Sequence, residues 1–188
     1  MAPSNWTKSR SSDWYFRVGT GLSVSTLYFL IGYKFFPFQL PVLDSVVDRL
    51  VFTLRWQLFG LLTLFMAMAG VMSIREKHDS AANPMDPKGQ QLTKLAQNIL
   101  QNTLEQYLFH FVAQLIMCTY LTGESMKVIP LLIILFVVAR IVFKIGYEKE
   151  PMVRAYGFSS TLPPTILTCG YCLYCFVTYG AGYGLGKQ

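Results

Sequence analysis

Five long apolar runs, separated by short charged loops, constrain this chain more than any other feature. They lie at about 18–36, 50–74, 93–121, 128–147 and 159–183. A helix rises about 1.5 Å per residue and a bilayer core is about 30 Å thick, so each run is long enough to cross a membrane. Composition agrees. The chain is 53% hydrophobic and 14% charged, whereas a soluble domain carries about 25% charged residues. The expected fold is an all-α membrane protein with five transmembrane helices. The first run is long and no small-residue cleavage site follows it, so it resembles a signal peptide poorly.

Charge placement sets the expected topology. The net charge of +6 does not point to nucleic acid, because the basic residues lie between apolar runs and form no single patch. Lys8, Arg10, Arg17, Arg75, Lys77, Lys88, Lys94, Lys144, Lys149 and Arg154 fall on one side of a five-span bundle. Lys34, Arg49, Lys127 and Lys187 fall on the other. By the positive-inside rule the N-terminus is cytoplasmic and the C-terminus lumenal or extracellular. The sequon at Asn5 is then silent. Trp6 and Trp14 in the first 17 residues suit the interface. Pro37 and Pro41 mark a loop, Asn83-Pro84 and Asp86-Pro87 mark turns, and Pro163-Pro164 are expected to break the fifth run near its start.

Polar residues inside the runs carry the functional argument. The third run opens with Leu95 to Tyr107, where Asn98, Asn102 and Glu105 fall at i, i+4 and i+7 on one helical face. A carboxylate at the start of a membrane helix is costly and needs a partner. On the fourth run Arg140, Lys144 and Tyr147 share the same spacing, and Phe143 lies four before Tyr147. Glu105 and Arg140 are therefore candidates for an ion pair, which either satisfies buried charge or serves a site. The cytoplasmic mouth collects Arg75, Asn102, Glu105, Arg140, Tyr147 and Arg154. Arginine forks suit carboxylates and phosphates. Such a pocket beside lipid suits an amphipathic ligand with an anionic head, and its positive charge favours a thiolate.

Other signals have simpler explanations. Arg55 reaches the nearer interface by snorkelling. Cys118 and the Cys169-x-x-Cys172-x-x-Cys175 run lie in apolar segments, where packing explains them better than a metal or redox site. Gln106, His110 and Gln114, spaced by four, suit interhelical hydrogen bonding. The glycines at 180, 182, 184 and 186 form no nucleotide fingerprint and are expected to fray the last helix. His78 lies in a loop and His110 in a span, so no catalytic triad is placed.

The pattern Asn102-x-x-Glu105, Ala139-Arg140, Gly146-Tyr147, Arg154 and Gly157 resembles the MAPEG superfamily, the membrane-associated proteins of eicosanoid and glutathione metabolism. The resemblance implies a four-helix core at 50–183, an extra helix at 18–36, a cytoplasmic tail at 1–17 and a short tail at 184–188. It further implies a homotrimer with glutathione as cofactor or ligand near the cytoplasmic face, between neighbouring subunits. Asn102 and Glu105 would hold the peptide, Tyr147 would contact it, Arg75 and Arg140 would add basic contacts, and Arg154 would be the catalytic residue favouring the thiolate. Arg49 to Arg55, Met126 to Leu132, and Tyr156-Gly157-Phe158 with Leu162-Pro163-Pro164 resemble the mattrin branch more specifically. That branch implies a regulatory membrane protein of the endomembrane system (ER, Golgi or lysosome-related) or plasma membrane. Its expected partners are trafficking proteins or membrane receptors, with roles in epithelial barrier formation or Frizzled control in Wnt signalling. The alternative is a glutathione-dependent transferase or peroxidase acting on lipophilic electrophiles. Two positions depart from glutathione-binding members. Asn98 stands where they carry Arg, and Phe143 stands where some carry Tyr. Losing a fixed cation removes about 1.5–3 kcal/mol of charge-assisted bonding.

Overall fold

Local capping and the spacing of prolines set where each apolar run becomes helix. The computed structural model describes residues 5–35, 39–83 and 85–184, with side chains from Ser12 onward. Pro37, Pro84 and the 185–188 tail with Lys187 lie outside the described residues, as do the side chains of Asn5, Trp6, Lys8 and Arg10. Six α-helices follow in order: α1 (Asn5–Phe35), α2 (Val46–Lys77), the short α3 (Asp79–Ala82), α4 (Pro87–Tyr120), α5 (Val128–Lys149) and α6 (Ala155–Tyr179). A 3-10 turn (Gly123–Lys127) leads into α5. No strand occurs among the described residues.

The α2 helix starts at a capping box, in which Ser45 and Asp48 satisfy each other's backbone N–H groups. Asp86 caps α4 and Pro87 occupies its first turn, where a missing N–H costs nothing. α4 therefore begins six residues before the expected run at 93. The polar stretch before Val18 is helical from Asn5, because no helix breaker lies between Pro3 and Pro37. Pro163 and Pro164 do not break the last helix, contrary to expectation, and both sit inside α6. Membrane-type helices tolerate this where neighbouring helices and Ser/Thr side chains satisfy freed carbonyls. α6 stops at Tyr179, where Gly180 adopts φ +76°.

α2 packs most extensively on α4, α5 on α6, and α1 lies against α6 and α5. Two approaches depend on glycine. A Cβ on Gly157 would collide with the Phe143 backbone, and a Cβ on Gly21 would collide with Ser159 Oγ. These positions draw α6 onto α5 and α1 onto α6. One core cluster, with Met117, Cys118, Met126, Ile129 and Ile133, fills one part of the bundle. A smaller cluster of Ala67, Ile99 and Phe143 lies beneath the polar stretch of α4.

Val46–Lys77 and Gly123–Lys149 are long and apolar enough to cross a membrane. The other long helices are less uniform, since α1 and α6 are rich in Gly, Ser, Thr and Tyr and α4 opens with a polar half. Leu58, Leu62 and Phe65 on α2, Leu108 and Phe109 on α4, and Leu167, Leu173 and Val177 on α6 are all exposed. Water does not tolerate apolar faces this extensive, whereas lipid or another protein does.

Candidate functional site

The polar face of α4 opens onto a cleft of about 380 Å³. Asn98, Gln101, Asn102 and Glu105 line it from α4, Phe143 and Tyr147 from α5, Arg154 and Phe158 from the start of α6, and Trp14 from α1. The cleft brings together four of the six residues expected at the site: Asn102, Glu105, Tyr147 and Arg154. It also includes both positions of departure, Asn98 and Phe143.

The expected pair between Glu105 and Arg140 does not form. Arg140 Nη1 donates instead to Asn102 Oδ1 at 3.0 Å and to the Asn102 carbonyl at 3.4 Å. Glu105 accepts from Gln101 Nε2 at 2.8 Å. The reason is helical geometry. Three residues advance the helix by about 300°, so Glu105 lies roughly 60° around α4 from Asn102 and turns to the open side. Arg140 is only 3% exposed, and its Nε and Nη2 have no hydrogen-bond partner among the described residues. It does not line the cleft. It borders a small crevice between α2, α4 and α5 with Thr63, Ala67, Ile99, Thr103 and Lys144. Lys144 is also turned away from the cleft and pairs with Glu148 at 3.8 Å. Arg75 is exposed in the last turn of α2 and is not part of the cleft lining.

Aromatic stacking connects the buried arginine to the open one. The Arg140 guanidinium lies 4.0 Å from the Phe143 ring centroid. Phe143 meets Tyr147 edge-on at 5.6 Å, and Arg154 covers the other ring of this pair, Tyr147, at 4.6 Å. Cation–ring contacts contribute about 0.5–2 kcal/mol each, most where water is excluded. Phe143, 1% exposed, is therefore the platform under Arg140, and Tyr147, in edge contact with it, is the platform under Arg154. The Phe143 ring performs its role without the hydroxyl that a Tyr would add.

Three lining residues escaped the sequence reading. Gln101 had a usable signal, since it lies four before Glu105 on the same stretch of helix. Phe158 lies four after Arg154, so one helical turn carries both to the cleft. Trp14 had none, because only the packing of α1 against α6 brings it there.

A second polar group on α4 has a different character. Gln57 Nε2 donates to Gln114 Oε1 at 2.9 Å, joining α2 to α4. Gln114 Nε2 lies 2.9 Å from His110 Nε2, and the imidazole stacks on Phe136 at 4.4 Å. Gln57, Gln106, His110 and Gln114 are all buried. The expectation of interhelical bonding thus holds for Gln114. Cys118, Cys172 and Cys175 are free and buried, and Cys169 is free and exposed.

In chemical terms the cleft offers one carboxylate, one guanidinium, a phenol and several side-chain amides beside aromatic rings. Such a set has the donors, acceptors and rings that would complement a zwitterionic, peptide-like head joined to an apolar group. It contains no second guanidinium among the described lining residues.

Comparisons with known proteins bear on the same segment. The profile described as MAPEG family matches residues 53–174, which takes in every cleft residue except Trp14. Transmembrane protein 79 of Mus musculus is 25% identical over 143 residues, covering 76% of this chain and 36% of that protein. Transmembrane protein 79 of Bos taurus is 24% identical over 149 residues, covering 79% and 37%. The chain therefore spans about a third of the length of these curated relatives. No solved structure matches.

Proposed function

The chain belongs to the MAPEG family, and from that premise we propose that it is a mattrin-type regulatory membrane protein whose cleft binds a glutathione-like peptide without turning it over. One observation carries this reading: Asn102, Glu105, Tyr147 and Arg154 line a single cleft, while Arg140 is committed to Asn102 outside it. Glutathione presents two carboxylates, an ammonium group and a thiol. Glu105 suits the ammonium, and the amides suit the peptide. Arg154 is the one guanidinium among the described lining residues, so it can clamp a carboxylate or stabilise a thiolate, but not both at full strength. Asn98 supplies no charge to relieve it. Binding is thereby favoured over activation of the thiol.

The wider arrangement follows the family resemblance. The chain spans the bilayer five times, with α1 as an addition to the four-helix core and the N-terminus cytoplasmic. Three copies assemble, and Arg75, which stands outside its own cleft, reaches toward a neighbouring copy. The filled cleft is a regulatory input. Its output is control of trafficking in the endomembrane system or plasma membrane, of epithelial barrier formation, or of Frizzled receptors in Wnt signalling. A glycosylated Asn5 in cells would contradict the cytoplasmic N-terminus.

The test is calorimetry with purified protein in detergent. Millimolar glutathione should bind, Glu105→Ala and Arg154→Ala should each abolish binding, and thiolate absorbance should not develop. Absence of binding would sink the reading. Thiolate absorbance together with conjugation of a lipophilic electrophile would establish a transferase instead.

A further inference from the structure

The cleft has two kinds of wall. The side from α4 presents amides and a carboxylate: Asn98, Gln101, Asn102 and Glu105. The lining from α1, α5 and α6 presents rings, with Trp14 and Phe158 added to the Phe143–Tyr147 pair. Trp14 comes from α1, which precedes the segment matched to the family. The matched segment therefore supplies three of these four rings, and α1 supplies the fourth.

Trp14 is held in place by the packing of its own helix. One turn along α1, Arg17 lies 3.9 Å from Glu150 in the loop between α5 and α6. Two turns along, Ser160 Oγ donates to the Gly21 carbonyl at 3.2 Å, at the point where α1 and α6 approach too closely for any side chain larger than glycine's hydrogen. The indole is partly buried rather than free in solvent. An indole held in the same cleft lining as Phe158 gives an apolar group on a bound ligand a place to stack.

We propose that Trp14 determines specificity in the cleft, giving it a preference for a glutathione-type peptide whose sulfur carries an apolar substituent over the peptide with a free thiol. The inference rests on the peptide-binding reading given above and names the ligand class within it. The head lies against α4, and the substituent lies against Trp14 and Phe158. No covalent step is involved.

The experiment uses the full chain in detergent with Trp6→Phe and Trp56→Phe, which leaves Trp14 as the one indole. Glutathione and S-hexylglutathione are titrated, with affinity read by calorimetry and the surroundings of Trp14 read by its emission. S-hexylglutathione should move the emission to shorter wavelength and bind about tenfold tighter than glutathione, as expected for one good aromatic contact. In an otherwise unaltered chain, Trp14→Ala should erase that preference, bringing the two affinities within about threefold of each other. This second arm needs no change at Trp56, so it stands even if that position tolerates no substitution. Calorimetric binding of the conjugate with unmoved emission, or a preference that survives Trp14→Ala, overturns the inference and leaves the peptide-binding reading intact. Failure of both ligands to bind overturns both.

Discussion

Two polar stretches lie end to end on α4, one spaced i, i+4, i+7 and the other i, i+4, i+8, yet they have opposite fates. Asn98, Asn102 and Glu105 open onto a cleft. Gln106, His110 and Gln114 are buried, and Gln114 is tied to Gln57 across the α2–α4 interface. The difference does not come from α4. It comes from what faces each stretch. Opposite Gln114, α2 offers a side chain of matching reach, and one hydrogen bond joins the two amides, while Gln57 Oε1 and Gln106 Oε1 stay buried with no partner among the described residues. Opposite Asn98 and Glu105 the neighbours are rings and a single guanidinium, set far enough away to leave space. A polar residue inside an apolar bundle is therefore a candidate for ligand recognition when its neighbours leave it facing a space large enough for a ligand, about 380 Å³ at the open stretch against about 10 Å³ beside His110.

Asn102 belongs partly to both situations, and its replacement should have the largest effect on stability. Its side chain lines the cleft, yet its Oδ1 is the closest acceptor to the buried Arg140. Asn102→Ala leaves Arg140 with only a backbone carbonyl at 3.4 Å. A hydrogen bond to a charged group contributes about 1.5–3 kcal/mol, so the melting temperature in detergent should fall by several degrees and glutathione binding should be lost with it. Asn102→Asp restores an acceptor and adds a counter-charge, and should recover most of the stability. If Asn102→Ala melts like the unaltered protein, Arg140 has another partner and the brace described here is not what holds it.

Breaking the closed stretch should cost less and should not reach the ligand. Gln114→Leu leaves Gln57 and His110 without their shared partner, at a cost of about 1–2 kcal/mol. Gln57→Leu combined with Gln114→Leu should destabilise by less than the sum of the two single changes, because the double variant strands fewer polar atoms. Thermal melts of the set measure this coupling. Glutathione affinity should stay constant throughout. A parallel loss of affinity would mean that the two stretches act as one unit.

Much of this contrast was readable in advance, but not all of it. Apolar runs and their spacing gave the helical bundle, because burial in lipid requires long, internally hydrogen-bonded segments. The i, i+4, i+7 pattern placed Asn98, Asn102 and Glu105 on one face correctly, since it follows from helix geometry alone. Partner choice was different. Arg140 was matched to Glu105 by charge and depth, whereas it bonds Asn102, because a rotation of about 60° around α4 separates the two acceptors. Trp14 was unreadable because its role depends on where a helix outside the core docks. The start of α1 at Asn5, well before the apolar run, has a related reason. Polarity ended the apolar run at Val18, but polarity does not end a helix, and no proline does so before Pro37.

Glu105→Gln gives the smallest change in the fold and the sharpest division between the two stretches. Glu105 is exposed, and its hydrogen bond from Gln101 can be kept by a Gln carbonyl. The melting temperature should therefore not move. The change nevertheless removes the only carboxylate among the described lining residues. A ligand ammonium group would lose its counter-charge, a charge-assisted contact of about 1.5–3 kcal/mol, which lowers affinity by roughly ten- to a hundredfold. Calorimetry beside a thermal melt separates the two effects in one preparation. Unchanged affinity would show that Glu105 does not meet the ligand, and the open stretch of α4 would then differ from the closed one only in its solvation.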